Sequence, residues 1–136
     1  MTRVEKATAY HEAGFNCAQS VFAACADLAD VPEQQALVLG GGFGGGFGCG
    51  EVCGAICGGV MALGGILPFC DGSDKDRKKL VKEAAKTLCR RFQAEFGHLD
   101  CRDLLKSTAP KERCGDYIAW TAKAVEEIAA EFMENK

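Results

Sequence analysis

Nine cysteines among 136 residues constrain this chain more than any other feature of its sequence. They stand at Cys17, Cys25, Cys49, Cys53, Cys57, Cys70, Cys89, Cys101 and Cys114. A chain of this length can bury an adequate apolar core without covalent cross-links. Cysteines at this density therefore indicate chemistry, in the form of metal ligation, an iron–sulfur cluster or thiol redox reactions.

Length, composition and charge narrow the class of protein. The length predicts a single domain over residues 1–136, and the apolar and charged fractions of 48% and 26% are typical of soluble globular proteins. A net charge of −3 gives no electrostatic case for binding nucleic acid or an anionic membrane. The N-terminal residues lack a signal-peptide pattern, and no apolar run reaches the ~20 residues that span a bilayer. We therefore expect a cytoplasmic protein, in a compartment where structural disulfides are rare.

Apolar periodicity predicts an all-α fold, a compact bundle of five to six helices with a Gly-rich loop before the central helix. Asn16, Asp74 and Asp100 are candidate N-terminal caps, and Gly97 is a candidate C-terminal cap. No stretch has a convincing strand pattern. The expected helical segments are approximately 2–13, 17–28, 31–39, 53–67, 75–96, 101–105 and 112–133.

The Gly-rich stretch at residues 40–48 contains seven Gly and two Phe. It lacks the Gly-Lys-Ser/Thr ending of a phosphate loop, and no predicted strand precedes it. Glycines can adopt positive φ and direct several N–H groups at one anionic group, which also lowers the pKa of nearby thiols. We predict that Gly46, Gly48 and Gly50 help to bind a cofactor in this way. The alternative is a flexible connection whose phenylalanines fill the core.

Three cysteines follow this stretch at intervals of four residues, at Cys49, Cys53 and Cys57. If the central helix begins by Cys49, the three thiols share one helical face. If it begins only near Cys53, Cys49 lies in the loop. Neither arrangement matches the Cys-x-x-Cys of thioredoxin-like sites or zinc ribbons, so a metal site would need ligands from separate helices.

Two further cysteines lie towards the C-terminus in surroundings that favour the thiolate. Cys101 follows Asp100 at a predicted helix start, and Cys114 follows the cations Lys111 and Arg113. By contrast, Cys25 and Cys89 fall in amphipathic helical patterns and are interpreted as small buried hydrophobes.

Four blocks of the sequence resemble the C_GCAxxG_C_C family of redox-active proteins. They are Gly14-Phe15-Asn16-Cys17-Ala18-Gln19-Ser20-Val21, the Gly-rich stretch into Cys53-Gly54-Ala55-Ile56-Cys57-Gly58, Cys101-Arg102-Asp103-Leu104-Leu105, and Cys114. The chain has Cys53-Gly54-Ala55 where the family name has Gly-Cys-Ala, and Cys53 is the natural match. The resemblance implies a redox role for Cys17, Cys53, Cys101 and Cys114. A similar domain occurs in split-Soret cytochrome c, which carries an iron–sulfur centre beside its haems.

The leading hypothesis is a small redox protein that holds an iron–sulfur cluster or a related metal and transfers electrons to a protein partner. The preferred ligands are Cys53, Cys101 and Cys114, with Cys17 or Cys49 as the fourth, and zinc as a substitute metal. This hypothesis does not decide whether the protein forms a homodimer.

Two alternatives accompany this hypothesis. One is a metal-free thiol–disulfide oxidoreductase in which Cys53 attacks and Cys49, Cys57 or Cys101 resolves. The other is a zinc-stabilised helical module that serves only as an interaction surface. These hypotheses leave open whether the protein is an enzyme.

Overall fold

The computed structural model describes residues 1–107 and 110–133, and these residues form seven α-helices. The helices are α1 (Arg3–Glu12), α2 (Cys17–Ala24), α3 (Glu33–Leu39), α4 (Gly54–Ile66), α5 (Lys75–Phe96), α6 (Cys101–Ser107) and α7 (Pro110–Met133). Extended pairing within the described residues is limited to one antiparallel bridge between Val52 and Asp100. The predicted all-α class is confirmed, with two of the seven helices only seven residues long.

Capping residues determine where α1, α2 and α5 begin and where α5 ends. Thr2 and Asn16 each form a reciprocal capping box, with Glu5 and Gln19 as their partners. The Asp74 side chain accepts the N–H of Arg77, and Gly97 ends α5 with a φ of +87°. The predicted bounds of α5 are therefore confirmed, because both of its ends carry a local sequence signal.

The second helix is shorter than predicted, since it ends at Ala24 rather than Leu28. Residues 25–30 continue as tight turns, and the N–H of Val31 closes back onto the carbonyl of Ala26 at 3.0 Å. The turns place Ala29 against α4, where a Cβ added at Gly65 would lie 2.6 Å from that of Ala29. Tertiary packing thus overrides an apolar periodicity that continues past the end of the helix.

The central helix α4 packs against α2, α5 and α7. A Cβ added at Gly58 would lie 2.5 Å from the carbonyl oxygen of Ala18, so the backbones of α2 and α4 touch at this point. This close approach leaves no room for a side chain at Gly58. No helix in the described ranges is long and apolar enough to cross a membrane.

Candidate functional site

Cys17 is the first residue of α2, and its position is determined by the side chains on either side of it. The carboxamide of Asn16 caps the helix and donates to the carbonyls of Gly40 and Gly41 at 3.4 and 3.1 Å. Gln19 donates to the carbonyl of Leu37 at 2.9 Å. The start of α2 is thereby attached to the end of α3 and the beginning of the Gly-rich stretch.

Cys53 and Cys101 are brought together by the short antiparallel bridge. The N–H of Cys53 donates to the carbonyl of Leu99 at 2.8 Å, and the N–H of Cys101 donates to that of Glu51 at 2.6 Å. Cys53 is the residue that caps α4, and Cys101 is the first residue of α6. Two cysteines that are distant in sequence therefore lie on paired segments.

The first turn of α4 also contacts Cys17. A Cβ added at Gly54, the residue after Cys53, would lie 3.2 Å from the Cβ of Cys17 and 3.1 Å from the carbonyl oxygen of Phe43. A side chain at Gly54 would push α2 or the Gly-rich stretch outward by a few tenths of an ångström, so glycine favours this close approach. Cys17 and Cys53 consequently lie at the same contact between helices.

The fourth cysteine of this group is Cys114, which lies on α7. Its thiol forms a hydrogen bond with that of Cys17, and it interacts electrostatically with Cys53 and Cys101. Cys17 also interacts with Cys53 and Cys101, and Cys53 with Cys101. All six pairs among Cys17, Cys53, Cys101 and Cys114 are therefore electrostatically coupled, and we call these residues the four-thiol cluster.

The hydrogen bond between Cys17 and Cys114 separates the pKa values of the two thiols. It lowers the pKa of Cys114 to about 7, because the S–H of Cys17 donates to the Cys114 thiolate. The same bond raises the pKa of Cys17, and burial and the charges of the other three thiols raise it further. As the pH rises, Cys114 therefore loses its proton before Cys17 does.

The other two members of the cluster are held as thiols. Burial raises the pKa of Cys53, which is 4% exposed, to about 12, although the N–H groups of Ala55 and Ile56 favour its thiolate. Burial and the charge of Cys114 raise the pKa of Cys101. The thiol with the lowered pKa is thus Cys114, rather than the Cys53 that the sequence suggested as a nucleophile. The side chains of Lys111 and Arg113, expected to favour the Cys114 thiolate, lie outside the described part of the chain.

The cluster is not a ready-made site for a single metal ion. Among the residues that the structure describes, no group of three or more His, Cys, Asp or Glu side chains is close enough to hold one ion. The electrostatic coupling places the four thiols in one region of the molecule, but not around one point.

The remaining candidate cysteines lie elsewhere. Cys49 is exposed on a wide turn at residues 46–50, so the alternative in which the helix starts near Cys53 applies. Cys57 lies one turn into α4, and its pKa is raised by burial and then by the charge of Cys89 on α5. Cys25 is fully buried, in agreement with its interpretation as a core residue.

The glycine candidates lie on the same wide turn, where Gly46, Gly48 and Gly50 all have positive φ. Gly46 is buried against Glu51, whose N–H donates to the Gly46 carbonyl at 3.1 Å, whereas Gly48 is exposed. Their role in cofactor binding stays a prediction. Phe47 is 46% exposed and packs on Phe43, so its ring does not fill the core.

The side chain that holds this turn was missed by the sequence reasoning. Arg102 donates through Nε to the carbonyl of Gly50 at 3.1 Å and through Nη2 to the carboxylate of Glu51 at 2.5 Å. A weaker contact of 3.5 Å joins Nη2 to the carbonyl of Cys49. Its position directly after Cys101 is the one signal in the sequence that could have identified it.

Comparison with known proteins shows which family the chain belongs to. The sequence matches the family described as “Putative redox-active protein (C_GCAxxG_C_C)” over residues 15–128, which covers most of the chain and all four members of the cluster. No curated protein and no solved structure matches the chain significantly. The chain therefore belongs to the C_GCAxxG_C_C family.

Proposed function

We propose that this member of the C_GCAxxG_C_C family is an electron-transfer protein whose four-thiol cluster binds an iron–sulfur centre. The observation that carries the proposal is the mutual coupling of Cys17, Cys53, Cys101 and Cys114, which come from four different helices or their caps. Four cysteine thiolates are the usual ligand set of two-iron and four-iron clusters. We place the protein in the cytoplasm, where such thiols stay reduced.

The electrostatics of the cluster support a bound cation. Burial and neighbouring thiols raise the pKa values of Cys17, Cys53 and Cys101, so several thiolates would repel one another in this region without added positive charge. Bound iron would supply that charge to Cys17, Cys53, Cys101 and Cys114. Cys17 and Cys53 also lie at the N-terminal ends of α2 and α4, where the helix dipole favours an anionic ligand.

The spread of the thiols favours a two-iron centre over a single zinc ion. A structural zinc ion requires its four ligands around one point, and the described residues provide no group of even three. A two-iron cluster has two thiolates on each iron and does not require three at one point. Cys17, Cys53, Cys101 and Cys114 are therefore the proposed ligands, whereas Cys49 is not.

The centre would accept and donate single electrons, and the chain would control access to it. The almost complete burial of Cys53 keeps water from that ligand, and burial of a cluster is one of the factors that determine its reduction potential. The backbone N–H groups of Ala55 and Ile56, which favour a charged Cys53 sulfur, act on the same potential. A protein partner would supply or receive the electron.

A second candidate function is thiol–disulfide exchange without a metal. It is favoured by one observation, the hydrogen bond that lowers the pKa of Cys114 to about 7. The Cys114 thiolate would attack a low-molecular-weight disulfide and release one thiol. Cys17 would then resolve the mixed disulfide and release the second thiol, which leaves a Cys17–Cys114 disulfide and a reduced substrate.

Iron and acid-labile sulfide analysis of protein purified without oxygen separates the two candidates. We expect iron and sulfide in equal amounts, with a visible absorption spectrum that is bleached by reduction. Colourless protein without iron or sulfide would overturn the iron–sulfur proposal. Loss of two titratable thiols, with a Cys17–Cys114 disulfide found by peptide mapping, would then support thiol exchange.

A further inference from the structure

Positive charge is concentrated on one helix of this acidic chain. Helix α5 carries eight Lys and Arg residues against three Asp and Glu, so its net charge is +5 in a protein of net charge −3. The remainder of the chain therefore has a net charge of −8. Such a separation of charge creates a local field that attracts an anionic partner to one face of the molecule.

The cations of α5 follow the helical repeat and form a continuous row. The side chains that we call the basic stripe are those of Lys75, Lys79, Lys82, Lys86 and Arg90. All five residues are exposed, and their spacing of three or four residues places them on one face about 22 Å long. Within the described parts of the chain, Lys86 alone of the five has an ion pair, with Glu83 at 3.7 Å.

The C-terminal half of the basic stripe borders an open groove of about 450 Å³. Lys82, Lys86 and Arg90 form its charged rim, and Ala85, Cys89 and Leu99 contribute apolar surface. A charged rim around an apolar centre is typical of surfaces that bind other proteins.

The groove adjoins the four-thiol cluster through a single residue. Leu99 lines the groove, and its carbonyl accepts the N–H of Cys53 at 2.8 Å. A molecule seated in the groove would therefore lie one residue away from the backbone of a proposed cluster ligand.

We propose that the basic stripe and its groove form the docking surface for a redox partner protein with an acidic face. Complementary charge would guide and orient the partner, and the apolar groove would receive an apolar side chain from it. The surface exists without a metal, but its role in electron transfer rests on the proposed function. A nucleic acid is disfavoured as the occupant, because the described residues that line the groove include no aromatic ring on which a base could stack.

The test titrates nitrogen-15-labelled protein with a polyglutamate peptide and, separately, with single-stranded DNA of the same charge. The variant Lys79→Glu/Lys82→Glu reverses charge on the basic stripe. The control Lys6→Glu/Lys123→Glu makes the same change in net charge on α1 and α7, at two lysines in surface ion pairs. Iron and sulfide are measured on every sample.

We expect polyglutamate to shift the amide signals of residues 79–93 and Leu99. Its affinity should fall at least about tenfold in the stripe variant and much less in the control. In the iron-loaded protein, the stripe variant should slow oxidation by anionic ferricyanide and accelerate oxidation by cationic hexaammineruthenium.

Two results would overturn the docking proposal: equal loss of polyglutamate binding in both variants, or DNA binding at least about tenfold tighter than polyglutamate. If protein purified without oxygen contains no iron or sulfide and still binds polyglutamate at the basic stripe, the docking surface is supported and the iron–sulfur proposal is overturned. The two proposals can therefore fail separately.

Discussion

Cys53 and Cys57 lie one turn apart at the start of α4, yet they belong to different regions of the molecule. Cys53 precedes the first residue of the helix and interacts with three cysteines from α2, α6 and α7. Cys57 lies inside the helix, where it interacts with Cys89 of α5. The difference shows that the elements packed around each thiol, rather than the spacing along the chain, determine which cysteines can act together.

The largest expected effect comes from separating α2 from α4 at Gly58. Gly58→Ala places a methyl group against the Ala18 carbonyl, and overpacking of this kind costs about 1–3 kcal/mol. It should also move Cys17 away from Cys53, since both cysteines lie at the contact between α2 and α4. The matched control is Gly64→Ala, where nothing lies within 4 Å and the better helix former should stabilise α4 by about 0.5–1 kcal/mol. Urea unfolding gives the free energy of unfolding of each variant, which should fall in Gly58→Ala and rise in Gly64→Ala. Equal changes in the two variants would refute the close contact.

A pH titration tests the contact between Cys17 and Cys114. In reduced, metal-free protein the Cys114 thiolate should form as the pH rises through about 7, because Cys17 donates a hydrogen bond to it. Cys17→Ala removes the donor and should move this midpoint up towards the ordinary thiol value near 9.0. Cys17→Ser keeps a donor and should restore most of the shift.

The measurement is alkylation of Cys114 as a function of pH, quantified by mass spectrometry, with Cys57→Ala as the control that leaves the midpoint unchanged. A midpoint that is the same in wild-type protein and Cys17→Ala would contradict the hydrogen bond.

Substitution of Asn16 should have an effect on stability of intermediate size. Its side chain caps α2 and also contacts the Gly40 and Gly41 carbonyls, so Asn16→Ala should destabilise the protein by about 1–2 kcal/mol. Thr2→Ala removes the cap of α1, far from the cluster, and should cost about 1 kcal/mol or less. Thermal unfolding measures both losses, and only Asn16→Ala should change the Cys114 midpoint. An equal change in both variants would exclude a specific role for Asn16.

The smallest effect is expected at Arg102. Its ion pair with Glu51 is half exposed, so Arg102→Ala should cost no more than about 1 kcal/mol. The turn at residues 46–50 should nevertheless loosen, which would accelerate hydrogen exchange at the amides of Cys53 and Cys101. Arg91→Ala removes a comparable exposed ion pair with Glu131 and should leave those amides unchanged. Unaltered exchange in Arg102→Ala would show that the bridge does not need the arginine.

The fold could be predicted where the signals are local. The caps Asn16, Asp74 and Gly97 correctly marked helix boundaries, because each acts on backbone groups within a few residues. The early end of α2 could not be predicted, since it depends on packing of Ala29 against Gly65. The sequence likewise left open whether the central helix starts near Cys49 or Cys53.

Only part of the four-thiol cluster could be predicted from the sequence. Residue spacing alone gave no reason to group Cys17 with Cys114, and that grouping came from the family resemblance. A physical signal was nevertheless present, because Cys17, Cys53 and Cys101 each stand at a predicted helix start. The bridge between Val52 and Asp100 gave no strand pattern, since a single pair of residues forms it.

The most direct test of the account compares the iron content of Cys53→Ser and Cys57→Ser after reconstitution with iron and sulfide without oxygen. Both substitutions replace sulfur by oxygen, and the two positions are one helical turn apart. We predict that Cys53→Ser loses most of the bound iron and the visible absorption, whereas Cys57→Ser retains both at the wild-type level. Retention of iron by Cys53→Ser, or its loss from Cys57→Ser alone, would contradict the assignment of the four-thiol cluster.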